Sequence, residues 1–311
     1  MTVVSRFRFG VSAFSAADGP RWASKARRAQ ELGFDVLLVP DHLDESFAPI
    51  AALASAAAAT STLRLGTYVL NNDLRNPVVV AQEAITLDVL SGGRFELGLG
   101  AGHMKGEYDG SGVSFDPGRA RAERLRESVH IIRRCLTGEE PERVGRWYDP
   151  RGRLPLLAPV QRPHPPILIG GGGRRMLSMA ACEAQIVSVV PRSRVDGSGL
   201  DADDLSMSSL ERKIEWVRSA ALESGTNPEL NTLIQEVRPS RDARAAAEEL
   251  APEWGRDPDE VRDCPYALLG SVNAIVDRLL ELRERHGLSY VTVFEDAMEA
   301  FAPALAALAG R

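Results

Sequence analysis

The sequence predicts an α/β fold in which eight strand–helix units close into a (β/α)8 TIM barrel with insertions. Short apolar runs alternate with segments whose apolar residues recur at helical spacing, which indicates a parallel sheet with helical crossovers. Eight such units in roughly 300 residues are typical of a (β/α)8 barrel. A doubly wound sheet is the alternative, but at this length it usually needs fewer strands and a second domain. We therefore expect one barrel domain over residues 1–311.

The predicted strands are short runs rich in apolar residues. The first, RFRFGVSA, alternates polar and apolar residues as a strand does. The predicted strands cover residues 6–13, 34–40, 63–71, 94–100, 167–170, 185–190, 231–237 and 288–294.

The predicted helices begin and end at residues that suit helix ends. In the third, Asn76 can cap the first turn, Pro77 suits its first position and Gly92-Gly93 ends it. A loop rich in glycine and aspartate is predicted at 106–118, and the proline-rich segment 154–166 cannot form regular helix. The helical stretches are predicted at 22–32, 48–60, 77–91, 122–136, from about 174, 210–221, 272–282 and 296–309, with a further helix inside 239–266.

Composition and charge exclude several classes of function. The net charge of −6 and the pI near 5.5 argue against nucleic acid as the main partner, because phosphate binding needs a basic face. The first residues lack the apolar core of a signal peptide, and no apolar run approaches the roughly 18 residues of a membrane span. Cys135, Cys182 and Cys264 show neither a disulfide framework nor a zinc spacing. We expect a reduced, cytoplasmic protein that binds no membrane and no metal.

The candidate site residues lie where the predicted strands end, because a barrel carries its active site at the carboxyl ends of its strands. The second strand ends in Asp41-His42. This pair could be a metal pair or a structural pair in which Asp41 caps the next turn. It could also be a functional pair in which His42 donates a proton or holds a ring edge and Asp41 helps to fix it. The sequence contains no matching ligands elsewhere that would complete a metal site with this pair. The structural and functional interpretations stay open.

The run GGGGRR at 170–175 follows the fifth predicted strand and opens a helix. Its glycines leave backbone N–H groups exposed, the helix start adds partial positive charge, and Arg174 and Arg175 add formal charge. A tight turn is the alternative, but it needs only one or two glycines. We predict a phosphate site here.

The fourth strand leads into RFELGLGAGH, which looks like a dinucleotide-binding turn. The pattern G-x-G-x-x-G fails, because the third glycine would fall at His103. We interpret Gly98, Gly100 and Gly102 as clearance for a flat ring or its chain.

These segments together resemble the bacterial luciferase-like superfamily, in particular its coenzyme F420-dependent oxidoreductase branch. The resemblance rests on PDHL (40–43), the block LGTYVLNNDLRNPVVVAQEAITLDVLSGGRFELGLGAGHMKGEY (65–108), PVQRPHPPILIGGGG (159–173) and LSYVTVFED (288–296). It implies a luciferase-like barrel, commonly a homodimer, that binds coenzyme F420 or FMN at the strand ends. It also implies a small-molecule substrate, a reductase that supplies reduced cofactor, and a non-prolyl cis peptide near Tyr68-Val69.

The resemblance implies roles for individual residues. Asp41 and His42 would approach the ring, with His42 as proton donor or acceptor, and Glu107 is either structural or catalytic. His103 replaces the Trp of FMN-dependent members and the Glu of F420-dependent sugar-phosphate dehydrogenases, so it either takes over that acid's role or faces solvent. The other cofactor-binding candidates are Thr67, Tyr68, Val69, Asn71, Gly100, Ala101 and Gly102 beside the ring or its chain, and Gly171, Gly172, Gly173 and Arg174 at the phosphate.

The function that the resemblance implies is hydride transfer between coenzyme F420 and an unidentified small organic substrate. The segments PDHL and LGTYVLNN favour this branch. The alternatives are an FMN-dependent monooxygenase that uses reduced flavin and O2, a binder that has lost turnover, and a metal-dependent hydrolase acting at Asp41-His42. The sequence offers no further metal ligands for such a hydrolase. No motif in the loops identifies the substrate.

Overall fold

The computed structural model describes residues 6–143, 145–194 and 200–311. Eight parallel strands close into a barrel in the order β3-β2-β1-β11-β8-β7-β6-β5, and pairing of β3 with β5 completes the ring. The predicted TIM barrel is therefore confirmed. The strands are β1 Arg8–Ser12, β2 Val36–Val39, β3 Arg64–Thr67, β4 Leu70–Asn71, β5 Phe95–Gly100, β6 Ile167–Gly171, β7 Ile186–Val189, β8 Glu229–Leu233, β9 Glu236–Pro239, β10 Ala267–Gly270 and β11 Leu288–Phe294.

The helices pack around this ring and bury their apolar faces against it. The start of α3 shows why the sequence predicts them well: the Asn76 side chain accepts a hydrogen bond from the backbone N–H of Val78, and Gly92 ends the helix in the left-handed conformation. The helices are α1 Gly19–Glu31, α2 Pro49–Ala59, α3 Pro77–Ser91, α4 Lys105–Ser111, α5 Gly118–Thr137, α6 Arg174–Glu183, α7 Met207–Ser224, α8 Ala243–Trp254, α9 Pro258–Asp263, α10 Val272–His286 and α11 Met298–Leu308.

Two sequence predictions about the connections are wrong. The strand predicted at 231–237 is two strands, because β8 ends at Leu233 and the N–H groups of Gln235 and Glu236 then bond to the carbonyl of Tyr266. The chain thereby leaves the barrel, and β9 pairs with β10 in a separate two-stranded sheet. The loop predicted at 106–118 contains α4, which forms despite its glycines because Tyr108 is fully buried.

The third barrel strand is interrupted at the point where it reaches the carboxyl end of the barrel. It pairs with β2 as far as Thr67, and the chain resumes as β4 beside β5. The peptide bond between Tyr68 and Val69 is cis, as the resemblance predicts. This break brings Tyr68 and Val69 to the end of the barrel where the active site is expected.

Charged side chains occupy the opposite end of the barrel. Arg8 pairs with Glu96 and Glu229, and Arg64 pairs with the same oxygen of Glu96. The Arg8 guanidinium lies 4.3 Å from the centroid of the Tyr290 ring. These contacts fill the amino end of the barrel, where residues of this fold serve stability and not catalysis. No helix in the described ranges is long and apolar enough to cross a membrane.

Candidate active site

A cavity of about 520 Å³ opens at the carboxyl ends of the strands, within the usual size of a small-molecule site. Residues from all eight barrel strands or the segments after them form its wall, as expected for an active site on this fold. The sequence-predicted residues in that wall are Asp41, His42, Tyr68, Val69, Asn71, Gly100, Ala101, Gly102, His103, Glu107, Gly171, Gly172 and Gly173.

Glu107 holds His42 in place at the cavity. The Glu107 Oε1 atom lies 2.7 Å from Nδ1 of His42 and also accepts the backbone N–H of Leu43 at 3.3 Å. A carboxylate on Nδ1 selects the tautomer that carries its proton there, which leaves Nε2 as the nitrogen available for proton exchange. His42 Nε2 makes no hydrogen bond within the described ranges. The arrangement fits a general acid or base.

His103 stands beside His42 but in a different electrostatic environment. The two rings meet edge to face, with centroids 5.8 Å apart. Desolvation, and then the nearby His42 and Arg121, lower the pKa of His103 to about 4. His103 is therefore neutral near pH 7, although the residue is exposed to solvent. A neutral imidazole there can accept or donate a hydrogen bond to a bound molecule.

Asp41 does not orient His42, although the sequence suggests that it helps to fix this residue. It is buried and forms an ion pair with Arg75, with distances of 2.7 and 3.0 Å, and it accepts the backbone N–H of Asn71 at 3.0 Å. Asp41 thus joins the ends of β2 and β4. The carboxylate beside His42 is thus that of Glu107, and the functional interpretation of His42 stays a prediction.

The short helix α4 is fixed to the barrel by Tyr108. The Tyr108 hydroxyl lies 3.1 Å from Oδ1 of Asn71, 3.1 Å from Oδ2 of Asp73 and 3.2 Å from the carbonyl of Ala101. Burial, followed by the charge of Asp73, raises the pKa of Tyr108 to about 12, so the hydroxyl keeps its proton. Because Glu107 is the neighbouring residue, this anchor also fixes the carboxylate that holds His42.

After the break in the third strand, Tyr68 and Val69 line the cavity, whereas Thr67, before the break, does not. The Tyr68 hydroxyl donates to Oδ1 of Asn231 at 2.7 Å and lies 2.7 Å from Oγ of Ser188, inside the barrel. The Thr67 hydroxyl bonds to both backbone groups of Gly98 at 2.8 Å, and Thr67 is not part of the cavity wall. Thr67 therefore supports the third strand and does not line the site.

The glycines in and directly after β5 leave room for other parts of the protein. A Cβ atom at Gly98 would overlap the carbonyl of Thr67, and one at Gly100 would lie 2.5 Å from Cγ2 of Val69. At Gly102, where φ is +73°, a Cβ would meet the Tyr108 hydroxyl and the Asn71 amide. Gly98 thus admits the interrupted third strand. Gly100 and Gly102 leave room for Val69 and Tyr108 and also line the cavity, so their role as clearance for a ligand stays a prediction.

The glycine run before α6 has the features of a phosphate site. Gly171, Gly172 and Gly173 line the cavity, and α6 begins there without a side-chain cap. Its first N–H groups lack intrahelical partners and point toward the start of the helix, a position that favours an anion. Arg174 is exposed and stands outside the cavity wall, on the neighbouring surface.

The wall formed by residues 190–193 is held by a buried ion pair that the sequence does not reveal. Asp204 accepts the backbone N–H of Arg192 at 2.7 Å and lies 2.5 Å from Nζ of Lys213. The Asp204 and Lys213 side chains are each 1% exposed. A lysine on an otherwise apolar helix face is the available signal, but nothing in the sequence marks its partner in the segment that joins β7 to α7.

The chain matches, over residues 3–204, the family model described as luciferase-like monooxygenase. The chain belongs to the luciferase-like monooxygenase family.

Curated relatives in this family carry two kinds of name. 4-Hydroxyprotoasukamycin monooxygenase of Streptomyces nodosus subsp. asukaensis is 32% identical over 185 residues, which are 57% of this chain and 48% of that protein. F420-dependent glucose-6-phosphate dehydrogenase of Kineococcus radiotolerans is 36% identical over 159 residues, which are 49% of this chain and 46% of that protein. The chain spans about half the length of the curated relatives it matches.

Solved structures show the same luciferase-like barrel. The coenzyme F420-dependent tetrahydromethanopterin reductase of Methanopyrus kandleri has a TM-score of 0.76 at 20% identity, covering 96% of this chain and 98% of that one. The oxygenating constituent of 3,6-diketocamphane monooxygenase from Pseudomonas putida, in complex with FMN, has a TM-score of 0.73 at 18% identity, covering 98% and 96%. At these sequence identities, the structural similarity establishes the fold alone.

The cavity of this luciferase-like chain fits a flat ring with a phosphate-bearing chain. Val69, Met176 and Phe294 give it apolar walls, and the uncapped start of α6 offers N–H donors at one end. Within the described ranges no group of three or more His, Cys, Asp or Glu side chains could hold a metal ion.

Proposed function

We propose that this chain is an oxidoreductase that transfers a hydride between coenzyme F420, a deazaflavin, and a small organic substrate. The observation that carries the proposal is the His42–Glu107 pair, 2.7 Å apart, at a cavity whose far end is the uncapped start of α6. The similarity to F420-dependent relatives supports the choice of cofactor.

The bound deazaflavin would supply the hydride chemistry, and the chain's residues would bind it and handle the proton. Gly171–Gly173 would bind the phosphate with backbone N–H groups. Val69 and Gly100–Gly102 would lie against the ring or its chain, since these residues form the adjoining wall. His42 would give or take the proton at Nε2, with Glu107 stabilising the imidazolium.

His42 is the better candidate for proton transfer than His103. The carboxylate on Nδ1 of His42 stabilises a positive charge on its ring. His103 has Arg121 among its neighbours and a pKa of about 4, so it holds a proton poorly. We assign His103 to hydrogen bonding of the substrate.

Three broader features belong to the same proposal. We propose a single luciferase-like domain over residues 1–311, a cytoplasmic homodimer, and a separate reductase that supplies reduced cofactor. They rest on the family resemblance.

An FMN-dependent monooxygenase is the second candidate. The family model describes luciferase-like monooxygenases, and the Streptomyces relative is named a monooxygenase. Such an enzyme would use the same cavity and phosphate site, but would need reduced FMN and O2.

Oxygen dependence separates the two candidates. The protein is incubated without O2 with oxidised F420 and a panel of small alcohols, or with reduced F420 and a panel of small enones and imines, and the deazaflavin absorbance is followed. The proposal expects a protein-dependent change with at least one panel member, reduced about 100-fold or more in His42→Ala. Substrate oxidation that occurs only with reduced FMN and O2 would establish the second candidate instead.

A further inference from the structure

One side of the cavity is formed by apolar side chains from three neighbouring strands. Phe14 follows β1, Phe294 ends β11 and Leu233 ends β8, and all three line the cavity. The two phenylalanine rings lie nearly parallel, at an angle of 21°, with their centroids 5.9 Å apart. We call these three residues the apolar wall.

The order of the strands places the apolar wall across the cavity from the residues assigned to the cofactor. In the closed ring of eight strands, β1 stands opposite β6, β11 opposite β5 and β8 opposite β3. These opposite strands carry, in or directly after them, Gly171–Gly173, Gly100–Gly102 and Val69. His42 follows β2, which lies between β1 and β3 and therefore borders both sides. A molecule at the apolar wall would face the cofactor ring, with His42 at its edge.

The two phenylalanines of the apolar wall are not part of the hydrophobic core. Both side chains are half-buried, and neither packs against the core clusters of the described residues. The Phe14 carbonyl accepts the N–H of Phe47 at 2.8 Å, and the N–H of Phe14 donates to Oε1 of Glu295 at 3.4 Å. Lys25 pairs with this carboxylate. The backbone thus holds apolar surface at the cavity that core packing does not explain.

The charged groups on either side of the apolar wall already have partners. Arg192 lines the cavity from the segment after β7, the strand next to β8. Its Nη2 lies 3.1 Å from Oδ2 of Asp201, and its Nε lies 3.4 Å from Oδ2 of Asp204. On the other side, His42 is paired with the Glu107 carboxylate. An anionic substrate would therefore meet carboxylates here and would find no unpaired cation among the described residues.

Arg121 lies on the other side of the cavity. It forms no ion pair with the part of the chain that the structure describes, but it donates a hydrogen bond to the carbonyl of Gly102, which follows β5. Its guanidinium also lies 4.1 Å from the centroid of the Phe115 ring. Because β5 stands opposite β11, this positive charge is on the side assigned to the cofactor and not at the apolar wall.

We propose that the substrate of this site is a neutral molecule with an aromatic or similarly bulky apolar part that packs against Phe14, Leu233 and Phe294. Its polar reacting group would lie at Nε2 of His42. Sugar phosphates and other anions are disfavoured, because removing a charge from water without a partner costs free energy. That this ligand is a substrate rests on the proposed function; the preference for a neutral, apolar ligand rests on the wall.

The test compares two ligands that differ in charge. The full chain is titrated by calorimetry with methyl β-naphthyl ketone, which is neutral, and with β-naphthoate, which carries a carboxylate on the same rings. The ketone titration is repeated with saturating F420. Wild type should bind the ketone at least about tenfold more tightly than the carboxylate, and F420 should leave ketone binding in place. Equal or tighter binding of naphthoate, no ketone binding, or loss of ketone binding on adding F420 would overturn the proposal.

Three double variants locate the ketone at the apolar wall. Phe14→Ala/Phe294→Ala should weaken ketone binding at least about fivefold, because it removes the apolar contact area. Phe14→Leu/Phe294→Leu keeps the wall apolar and should weaken it about threefold, through the lost contact between aromatic rings. Leu157→Ala/Leu222→Ala removes apolar side chains that are 69% and 84% exposed outside the cavity, and should bind like the wild type.

Unchanged ketone affinity in the Ala variant would overturn the proposal. If thermal unfolding shows that the Ala variant does not fold, the Leu variant decides in the same way. A wild type that does not bind F420 would contradict the proposed function, while the ketone and naphthoate titrations of the free protein would still decide the apolar wall. A wild type that binds F420 but prefers naphthoate would contradict the apolar wall alone.

Discussion

Nδ1 of His42 and the Glu107 carboxylate meet at 2.7 Å, although they come from the end of β2 and from α4. Two further sets of contacts hold Glu107 in position. Tyr108 fixes α4 through Asn71, Asp73 and Ala101. The backbone N–H of Leu43 donates a hydrogen bond to the same Glu107 oxygen that contacts His42. The His42–Glu107 pair, to which we assign proton transfer, is therefore assembled by the short helix α4.

Glu107→Gln removes the charge and keeps the shape of the residue. Because a hydrogen bond to a charged group contributes about 1.5–3 kcal/mol, we expect turnover to fall about 10- to 100-fold while the cofactor dissociation constant changes less than threefold. Steady-state kinetics and a cofactor titration measure the two effects. Asp109→Asn, on the exposed side of α4, is the control. A Gln variant as active as the control would remove Glu107 from the mechanism.

Asp41→Asn tests the assignment of Asp41 to structure. The change leaves the Arg75 guanidinium without its buried partner, and breaking such a pair costs about 3 kcal/mol. We expect urea unfolding to show a loss of this order. Asp44→Asn, three residues away and exposed, should change stability by less than about 0.5 kcal/mol. Similar stability in the two variants would show that the ion pair with Arg75 contributes little.

His103 makes stability depend on pH. Its pKa is about 4 in the folded protein against 6.5 for the unperturbed side chain, so between these values the unfolded chain binds more protons. The free energy of unfolding should therefore fall as pH decreases from about 6.5 to about 4, and His103→Gln should lose that part of the slope. Urea unfolding at pH 7 and pH 5 gives the difference between the two proteins. Parallel pH dependence in both would contradict the lowered pKa.

Gly173→Ser should change stability and cofactor affinity in opposite directions. Serine at this position can cap α6, which stabilises the protein by a few tenths of a kcal/mol, while its side chain narrows the phosphate end of the cavity and weakens binding several-fold. Gly172→Ser should lower both, because its Cβ meets the Arg192 backbone. Thermal unfolding and a cofactor titration distinguish the two. Unchanged affinity in Gly173→Ser would place the phosphate elsewhere.

The sequence predicts the barrel well because each strand end is marked locally. The runs before His42, Asn71 and His103 stop where polar residues or glycines begin, and the barrel brings those ends together. The same local signal predicts the glycine run at Gly171–Gly173 as part of the site.

The sequence does not predict contacts that depend on distant partners. The α4 segment contains glycines, and its helix is fixed by the burial of Tyr108, whose hydroxyl partners lie in and after β4 and directly after β5. Asp41 adjoins His42 in sequence, but Arg75 takes its carboxylate and leaves Glu107 to orient the imidazole. Thr67 belongs to the same predicted strand as Tyr68, but its hydroxyl bonds to the backbone of Gly98. In each case a partner from another element determines the role.

Equilibrium titration of the purified protein with F420 and with FMN, followed by fluorescence quenching, shows directly which cofactor the protein binds. We expect saturable binding of F420 that is tighter than that of FMN and that persists in His42→Ala, because His42 is assigned to the proton and not to the phosphate. Tight FMN binding with no response to F420 would contradict it.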